Sequence, residues 1–204
     1  MIKNKPDYYN DIDKVYEKTW DLLKKGLKNR NSPFHIPVFI CGDKKKFDGR
    51  IVVLRGVNEK ETKLWFHSDI RSKKIEIIKS NPEAVLLFYD KSEKIQLRIQ
   101  GNTKINYDNY ITQIAWKKTV HMSRQCYLGD KAPGTDSSLP SSGLTEDVDN
   151  LKYSEKESES GYKNFCVIET FIKSIEWLYL AAKGHRRAYF SIKNNSLEKK
   201  WLIP

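Results

Sequence analysis

No apolar run in this 204-residue chain approaches the ~20 residues that a membrane-spanning helix requires. The start, Met1-Ile2-Lys3-Asn4-Lys5-Pro6-Asp7, lacks the apolar stretch of a secretory signal, so a cytosolic (cytoplasmic) location is expected. Cysteine is scarce. Cys41, Cys126 and Cys166 are odd in number, far apart and without Cys-x-x-Cys spacing, which excludes a disulfide framework and leaves no expected metal site. Acidic residues are also short, 26 against 37 lysines and arginines, for a formal charge of +11. Such a chain can meet nucleic acid, an anionic surface or an anionic metabolite. Much of the lysine is scattered (Lys3, Lys5, Lys24, Lys25, Lys28, Lys193, Lys199, Lys200), which favours a solvated basic surface over a nucleic-acid footprint.

What remains is a globular composition, 39% hydrophobic and 31% charged, of a length that suits one domain over residues 1–204. Apolar positions at Ile12, Val15, Tyr16, Thr19, Trp20, Leu22, Leu23 and Leu27 predict an amphipathic helix over Tyr9 to Lys28. A loop enters a strand near Val38, and Asp48-Gly49 reads as a turn before a strand from Arg50 to Val57. Asn58 to Glu61 is a hairpin connection to a strand from Lys63 to His67. A short helix over Ser72 to Ser80 is stopped by Asn81-Pro82. Strands are expected over Ala84 to Tyr89 and Lys94 to Lys104, and a second helix over Asn109 to Met122. Residues 131–161 are polar and without periodicity, which marks a lid or a partly disordered loop. Strands resume over Asn164 to Thr170, Ser174 to Leu180 and His185 to Ile192. One helix, then strands joined by tight turns with short helices inserted, predicts a mainly β fold, an antiparallel barrel with helical additions.

Chemistry concentrates in two segments. Arg50-Ile51-Val52-Val53-Leu54-Arg55 is an apolar strand bracketed by guanidinium groups. Ser68-Asp69-Ile70-Arg71-Ser72-Lys73-Lys74 supplies hydroxyls and ammonium groups around a helix start. Cations together with directional donors are what a phosphate monoester needs. Singly, the arginines suit strand ends and the lysines an exposed helix face; the ordered set points to a phosphorylated small molecule. Trp177 alone reads as a core aromatic and His185 as a surface histidine in a basic turn. His35 and His121 have no visible partners, and Glu155 and Glu157 lie in a polar, solvated run.

Arg50 to Arg55, Phe66-His67-Ser68 with Ser72-Lys73-Lys74, Asn81-Pro82, Gln96 ahead of Gly101, and Trp177 with His185-Arg186-Arg187 together resemble the pyridoxamine 5′-phosphate oxidase family. The likeness is to the cyanobacterial and plant branch of its FMN-binding split-barrel proteins, and runs from about Phe34 to Pro204. It implies a split β-barrel that binds FMN at a homodimer interface. By position the FMN contacts are Arg50, Val53, Leu54, Arg55, His67, Ser68, Lys73 and Lys74, with Gln96, Trp177 and Arg187 completing the site, in part from the partner subunit. Cations would neutralise the FMN phosphate and stabilise charge near N1 of the reduced ring.

The substrate half departs from the family. The tyrosine that helps hold the substrate phosphate falls near Val120, while Arg124 takes the arginine place. The family's Arg-Leu-His becomes Lys183-Gly184-His185, which keeps the charge but loses the planar fork. The resemblance thus implies an FMN-dependent oxidoreductase with a small-molecule substrate, a B6 vitamer phosphate if Arg124, Lys183 and His185 hold it. The alternatives are a non-catalytic flavin or haem binder, or a basic barrel for single-stranded nucleic acid using aromatics as stacking platforms. Trp65, Tyr89 and Trp177 sit among apolar residues, which argues against the last.

Overall fold

The computed structural model describes residues 6–44, 46–182, 184–193 and 196–204. Helix α1, Ile12–Lys28, starts where the Asp11 side chain accepts from the backbone N–H groups of Asp13 and Lys14. Val15, Thr19, Leu22, Leu23 and Gly26 recur at helical spacing and form its buried face. Nine strands among the described residues make one antiparallel sheet. They are β1 Val38–Gly42, β2 Phe47–Ile51, β3 Leu54–Asn58, β4 Lys63–Asp69, β5 Glu83–Asp90, β6 Ile95–Tyr107, β7 Phe165–Tyr179, β8 Arg186–Lys193 and β9 Ser196–Leu202. Their order is β2-β1-β5-β6-β7-β4-β3, with β8 added to β7 and β9 to β8.

The first strand of this order and the last are consecutive in the chain. Only Val52 and Val53 separate β2 from β3, so the two ends of the sheet must approach each other and the sheet curls into a split barrel that does not close. The expected single strand from Arg50 to Val57 is therefore two. The expected turn at Asp48-Gly49 lies inside β2, paired with Cys41 and Ile40 of β1. Local pattern could not show this, because Ile51 to Leu54 is as apolar as an unbroken strand. The two strands expected over 164–170 and 174–180 are instead the single long β7, which pairs with β6 throughout. Its register shifts at Gln100/Gly101, where a Cβ on Gly101 would lie 2.2 Å from the Phe171 carbonyl oxygen, so only glycine permits the approach.

Inward-facing residues of alternate strand positions fill the core: Phe39, Leu86, Phe88, Leu97, Ile99, Ile168, Ile175, Trp177 and Phe190, with Trp20 and Leu23 from α1. Helix α2 is Lys74–Ser80, and α3 is Tyr110–Lys118, capped by Asn109 and Thr112 in a reciprocal box. The expected helix over 109–122 ends early, and the chain resumes as α4, His121–Arg124. Trp116 of α3 packs edge-on against Phe165 at 5.1 Å and Tyr127 at 5.8 Å, which docks α3 onto the outer face of β7. The polar 131–161 region contains α5, Glu146–Asp149, and α6, Glu155–Ser158, followed by a 3-10 turn over Glu159–Asn164. No helix among the described residues is long and apolar enough to cross a membrane.

Candidate functional site

Strand β4 divides the charged residues between two places. Ser68 follows Leu64 and Phe66 on the inner side, and its hydroxyl meets Lys74 at the start of α2. Lys74 is buried, and its Nζ donates to Ser68 Oγ and Ser72 Oγ, each at 2.7 Å. Burial, and secondarily the Arg50 guanidinium, push the Lys74 ammonium below its usual value. Arg50 pairs with Asp48, yet its Nε is buried with no hydrogen-bond partner. A buried cation held by two hydroxyls, beside a guanidinium with an orphan donor, is a nest suited to an anion. A phosphate monoester fits it: its oxygens would take the orphan donor and relieve the Lys74–Arg50 repulsion. Ser72 stands in the segment read for its hydroxyls but not among the expected FMN contacts. Lys73 is exposed, its Cε 3.7 Å from where a Cβ on Gly134 would stand.

On the other side of β4, His67 and Trp65 face outward with Arg55 of β3 and form the floor of a cavity of about 540 Å³. Its wall is α3, through Ile111, Ile114 and Ala115. Trp65 lies flat across its partner Gly56, where any Cβ would meet the indole at 1.8 Å. His67 packs against Phe165 at 4.8 Å, and burial first and Arg55 second hold its pKa down to about 3. His67 is thus neutral at physiological pH. As pH falls from 6.5 towards 3, the unfolded chain binds a proton that the fold refuses, so stability is lost through that window. His67→Gln should flatten the loss by about 1.4 kcal/mol per pH unit in urea titrations between pH 5.5 and pH 4. Equal slopes for the two proteins would contradict this.

The remaining expected residues are spread over β6, β7 and β8. Arg187 and Arg98 both donate to Glu176 Oε2, at 2.8 and 2.7 Å, on the outer face beside Gln96. Trp177 is on the inner face and fully covered, stacked on Tyr179 with centroids 6.1 Å apart; within its own chain it is a core residue. Leu54 is likewise core, which leaves its backbone for any ligand, while Val53 lies in the link between β2 and β3.

Arg124 corrects the sequence expectation. Its Nη1 donates to Glu159 Oε1 at 2.6 Å and Ser158 Oγ at 3.1 Å, Nη2 to the Trp116 carbonyl and Nε to the Thr119 carbonyl. Its guanidinium also lies 4.8 Å from the Trp116 ring centroid. With its side chain 4% exposed and four of its five N–H groups engaged, Arg124 anchors the polar loop to α3. His185 is exposed, and its Nδ1 accepts from the Ala181 N–H at 3.1 Å in a turn packed on Tyr9 and Asn10. Lys183 lies outside the described residues. The polar loop has further ties that sequence reading missed. Arg71 forks onto Asp69 and donates to the Gly129 carbonyl at 2.9 Å, and Trp116 Nε1 donates to Glu159 at 2.8 Å. No cluster of three His, Cys, Asp or Glu residues placed to hold a metal occurs among the described residues.

Residues 18–107 match the family model described as pyridoxamine 5′-phosphate oxidase, FMN-binding domain. A pyridoxine/pyridoxamine 5′-phosphate oxidase of Psychrobacter arcticus is 26% identical over 184 residues, covering 84% of this chain and 80% of that protein. Among solved structures, a pyridoxamine 5′-phosphate oxidase-related, FMN binding protein of Nostoc punctiforme superimposes with a TM-score of 0.74 at 16% identity, covering 98% of this chain and 100% of the other. PhzG of Burkholderia lata, in complex with tetrahydrophenazine-1-carboxylic acid, superimposes with a TM-score of 0.70 at 12% identity, over 100% and 99%. At such identities the structural matches speak to fold. The family match spans Arg50, Arg55, His67, Ser68, Lys74 and Gln96, but not Arg124, Trp177, His185 or Arg187.

Proposed function

We infer, from the match to the pyridoxamine 5′-phosphate oxidase-like FMN-binding split-barrel family, that this chain is an FMN-dependent oxidoreductase working as a homodimer. The observation that carries the cofactor is the nest at Lys74: a buried ammonium on two hydroxyls, with the Arg50 Nε still lacking an acceptor. Arg50 lies at the nest and Arg55 at the cavity floored by His67 and Trp65, joined by the short Val52-Val53 link between β2 and β3. FMN, when bound, supplies a hydride acceptor. The protein's part is to hold the phosphate with Arg50, Lys74, Ser68 and Ser72, to present the neutral His67 and the Arg55 cation at the cavity, and to screen it with α3. Free thiols at Cys41, Cys126 and Cys166 suit a reducing cytosol.

Support for the dimer comes from the outer face of β2, β1 and β5. Phe47 is 87% exposed, Ile51 65% and Tyr89 49%, in register with Ile40, Val38, Val85 and Leu87. An apolar face this broad on a chain so charged is suited to burial against a second copy. It adjoins Gln96 and the Arg98–Glu176–Arg187 cluster, so a partner seated there would bring these groups to a shared site. Light scattering should give twice the 23.9 kDa chain mass, and Phe47→Asp with Ile51→Asp should give the monomer with weakened FMN binding. A wild-type monomer that binds FMN would refute the shared site.

The direct test of the cofactor is titration of purified protein with FMN and with riboflavin. FMN should bind at least about tenfold more tightly, since each charge-assisted phosphate contact contributes about 1.5–3 kcal/mol. Equal affinity would mean that the nest does not take the phosphate. A B6 vitamer phosphate as substrate is disfavoured by Arg124, four of whose five N–H groups are held within the chain, and by Val120 at the tyrosine place; oxidation of pyridoxamine phosphate is expected to be slow in an aerobic assay.

A further inference from the structure

Strand β6 outruns its neighbour β5. The two pair only from Ile95 to Asn102, and Thr103 is the last residue served from that side, its N–H and its hydroxyl both donating to the Pro82 carbonyl, at 2.7 and 2.8 Å. From Lys104 to Tyr107 only β7 lies alongside. Antiparallel ladders alternate, so the residues two and four places after Thr103 send their backbone groups the same way. The phase on the other side agrees: Ile172, opposite Gly101, gives its N–H to the Thr62 carbonyl just before β4 rather than to β6. Ile105 and Tyr107 therefore hold their N–H and C=O groups toward an edge that no strand or loop backbone of the described residues occupies.

A groove of about 550 Å³ lies beside this edge, between β6 and α2. Its floor is apolar: Ile78 of α2 is buried, and Ile70 and Ile105 are partly buried against the main core. Its polar side chains are already engaged, Thr103 with Pro82, Asn106 with Glu169 and Asn109, and Tyr107 with the Lys163 carbonyl. A small polar ligand finds few side-chain partners there, whereas an extended backbone finds the open groups of Ile105 and Tyr107. Two exposed cations, Lys79 and Lys104, line the groove together with no carboxylate, and neither makes an ion pair among the described residues.

We propose that this groove takes an extended acidic segment of a partner protein as an added strand on β6, with apolar side chains over Ile70, Ile78 and Ile105 and carboxylates at the alternate positions. The carboxylates follow from the pairing. Lys104 points to the opposite side of the strand from Ile105, and a residue directly across from it on an added strand lies at cross-strand distance, where opposite charges attract and like charges repel. Lys79, near the C-terminal end of α2, adds the same sign. A short edge flanked by lysines resists neutral and basic strands, which is what selects an acidic one. Lys104 to Tyr107 span about 13 Å, a contact suited to a transient partner. The inference is independent of the flavoprotein reading.

Calorimetric titration of the full-length protein with a model peptide, acetyl-Val-Glu-Val-Glu-Val-amide, tests this. It should bind with one site per chain, at least about tenfold more tightly than its counterpart with lysine in place of both glutamates, since two attractive pairs become two repulsive ones. Methylating the amide nitrogen of the central valine, which would face Ile105, should abolish binding. Hydrogen exchange reads the same contact from the protein: the Ile105 amide should exchange fast in the free protein and slowly in the complex. Lys79→Glu with Lys104→Glu, both exposed changes, should invert the order of the two peptides. No binding at millimolar peptide, equal affinity of the two peptides, undiminished binding of the methylated one, or an Ile105 amide already protected in the free protein would overturn the proposal. So would a drop in the light-scattering mass when both lysines are reversed, which would make the groove a contact between copies of this chain. An FMN titration run alongside bears on the Lys74 nest alone.

Discussion

Replacing Lys74 by methionine is expected to weaken FMN binding about a hundredfold while leaving the ligand-free protein at least as stable. The first half follows from the contacts. Lys74 would face the phosphate as a buried, charge-assisted donor, and losing one such bond costs about 1.5–3 kcal/mol. The second half follows from what Lys74 endures without a ligand. Its ammonium is buried beside Arg50, and its two bonds go to neutral hydroxyls rather than to a carboxylate. Replacing such a charge with an apolar side chain of similar length is often neutral or stabilising. The hydroxyls are not orphaned by the change, because Ser72 Oγ also donates to the Asp69 carbonyl at 2.7 Å and lies 3.4 Å from Ser68 Oγ.

The pH dependence has a definite sign. The folded pKa of Lys74 lies below its usual 10.5, so between the two values the unfolded chain binds the extra proton, and wild-type stability rises with pH there. The methionine variant lacks that rise. Fluorescence titration with FMN and urea unfolding at neutral and alkaline pH measure both halves. Undiminished FMN affinity would place the phosphate elsewhere; a large loss of ligand-free stability would mean that Lys74 is a structural cation.

Arg124→Ala should destabilise the fold by about 3 kcal/mol, the lower end for breaking a buried ion pair, because its partner Glu159 is half exposed. One side chain joins the end of α3, through the Trp116 and Thr119 carbonyls, to Ser158 and Glu159 at the end of the polar loop. Its removal leaves those acceptors without a buried donor and strips the Trp116 face of its cation. The loop then has fewer ties, and limited proteolysis between residues 131 and 161 should accelerate. Arg124→Lys should recover little, since a single ammonium cannot reach four acceptors with the geometry of a fork. Unchanged urea midpoints and unchanged cleavage would remove the anchoring role and reopen Arg124 as a ligand contact.

Local signals settled much of this protein. Apolar runs bounded by turn residues placed several of the strands, helical spacing found α1, and the Asn81-Pro82 stop bounded α2 within two residues. The ordered cations from Arg50 to Lys74 pointed to an anion because residue type alone carries charge and hydrogen-bonding capacity, and Arg50 and Lys74 do lie together. Other features needed the third dimension. Whether Val52-Val53 continues a strand or joins the two ends of a sheet depends on partners far along the chain. Arg124 looked free because its partners, Ser158 and Glu159, are more than thirty residues away and lie in a segment with no periodicity to place it. Trp177 and Arg187 had the same standing by position, yet the pleat sends one into the core and the other to the outer face. The division of the cations between the Lys74 nest and the α3 cavity likewise comes from the fold, which puts Arg50 on β2 beside Lys74 of α2 and Arg55 on β3 at the cavity. Charge and hydrogen-bonding capacity are properties of a residue and can be read from the sequence. Burial and partnership belong to pairs of residues, and the fold alone brings the pairs together.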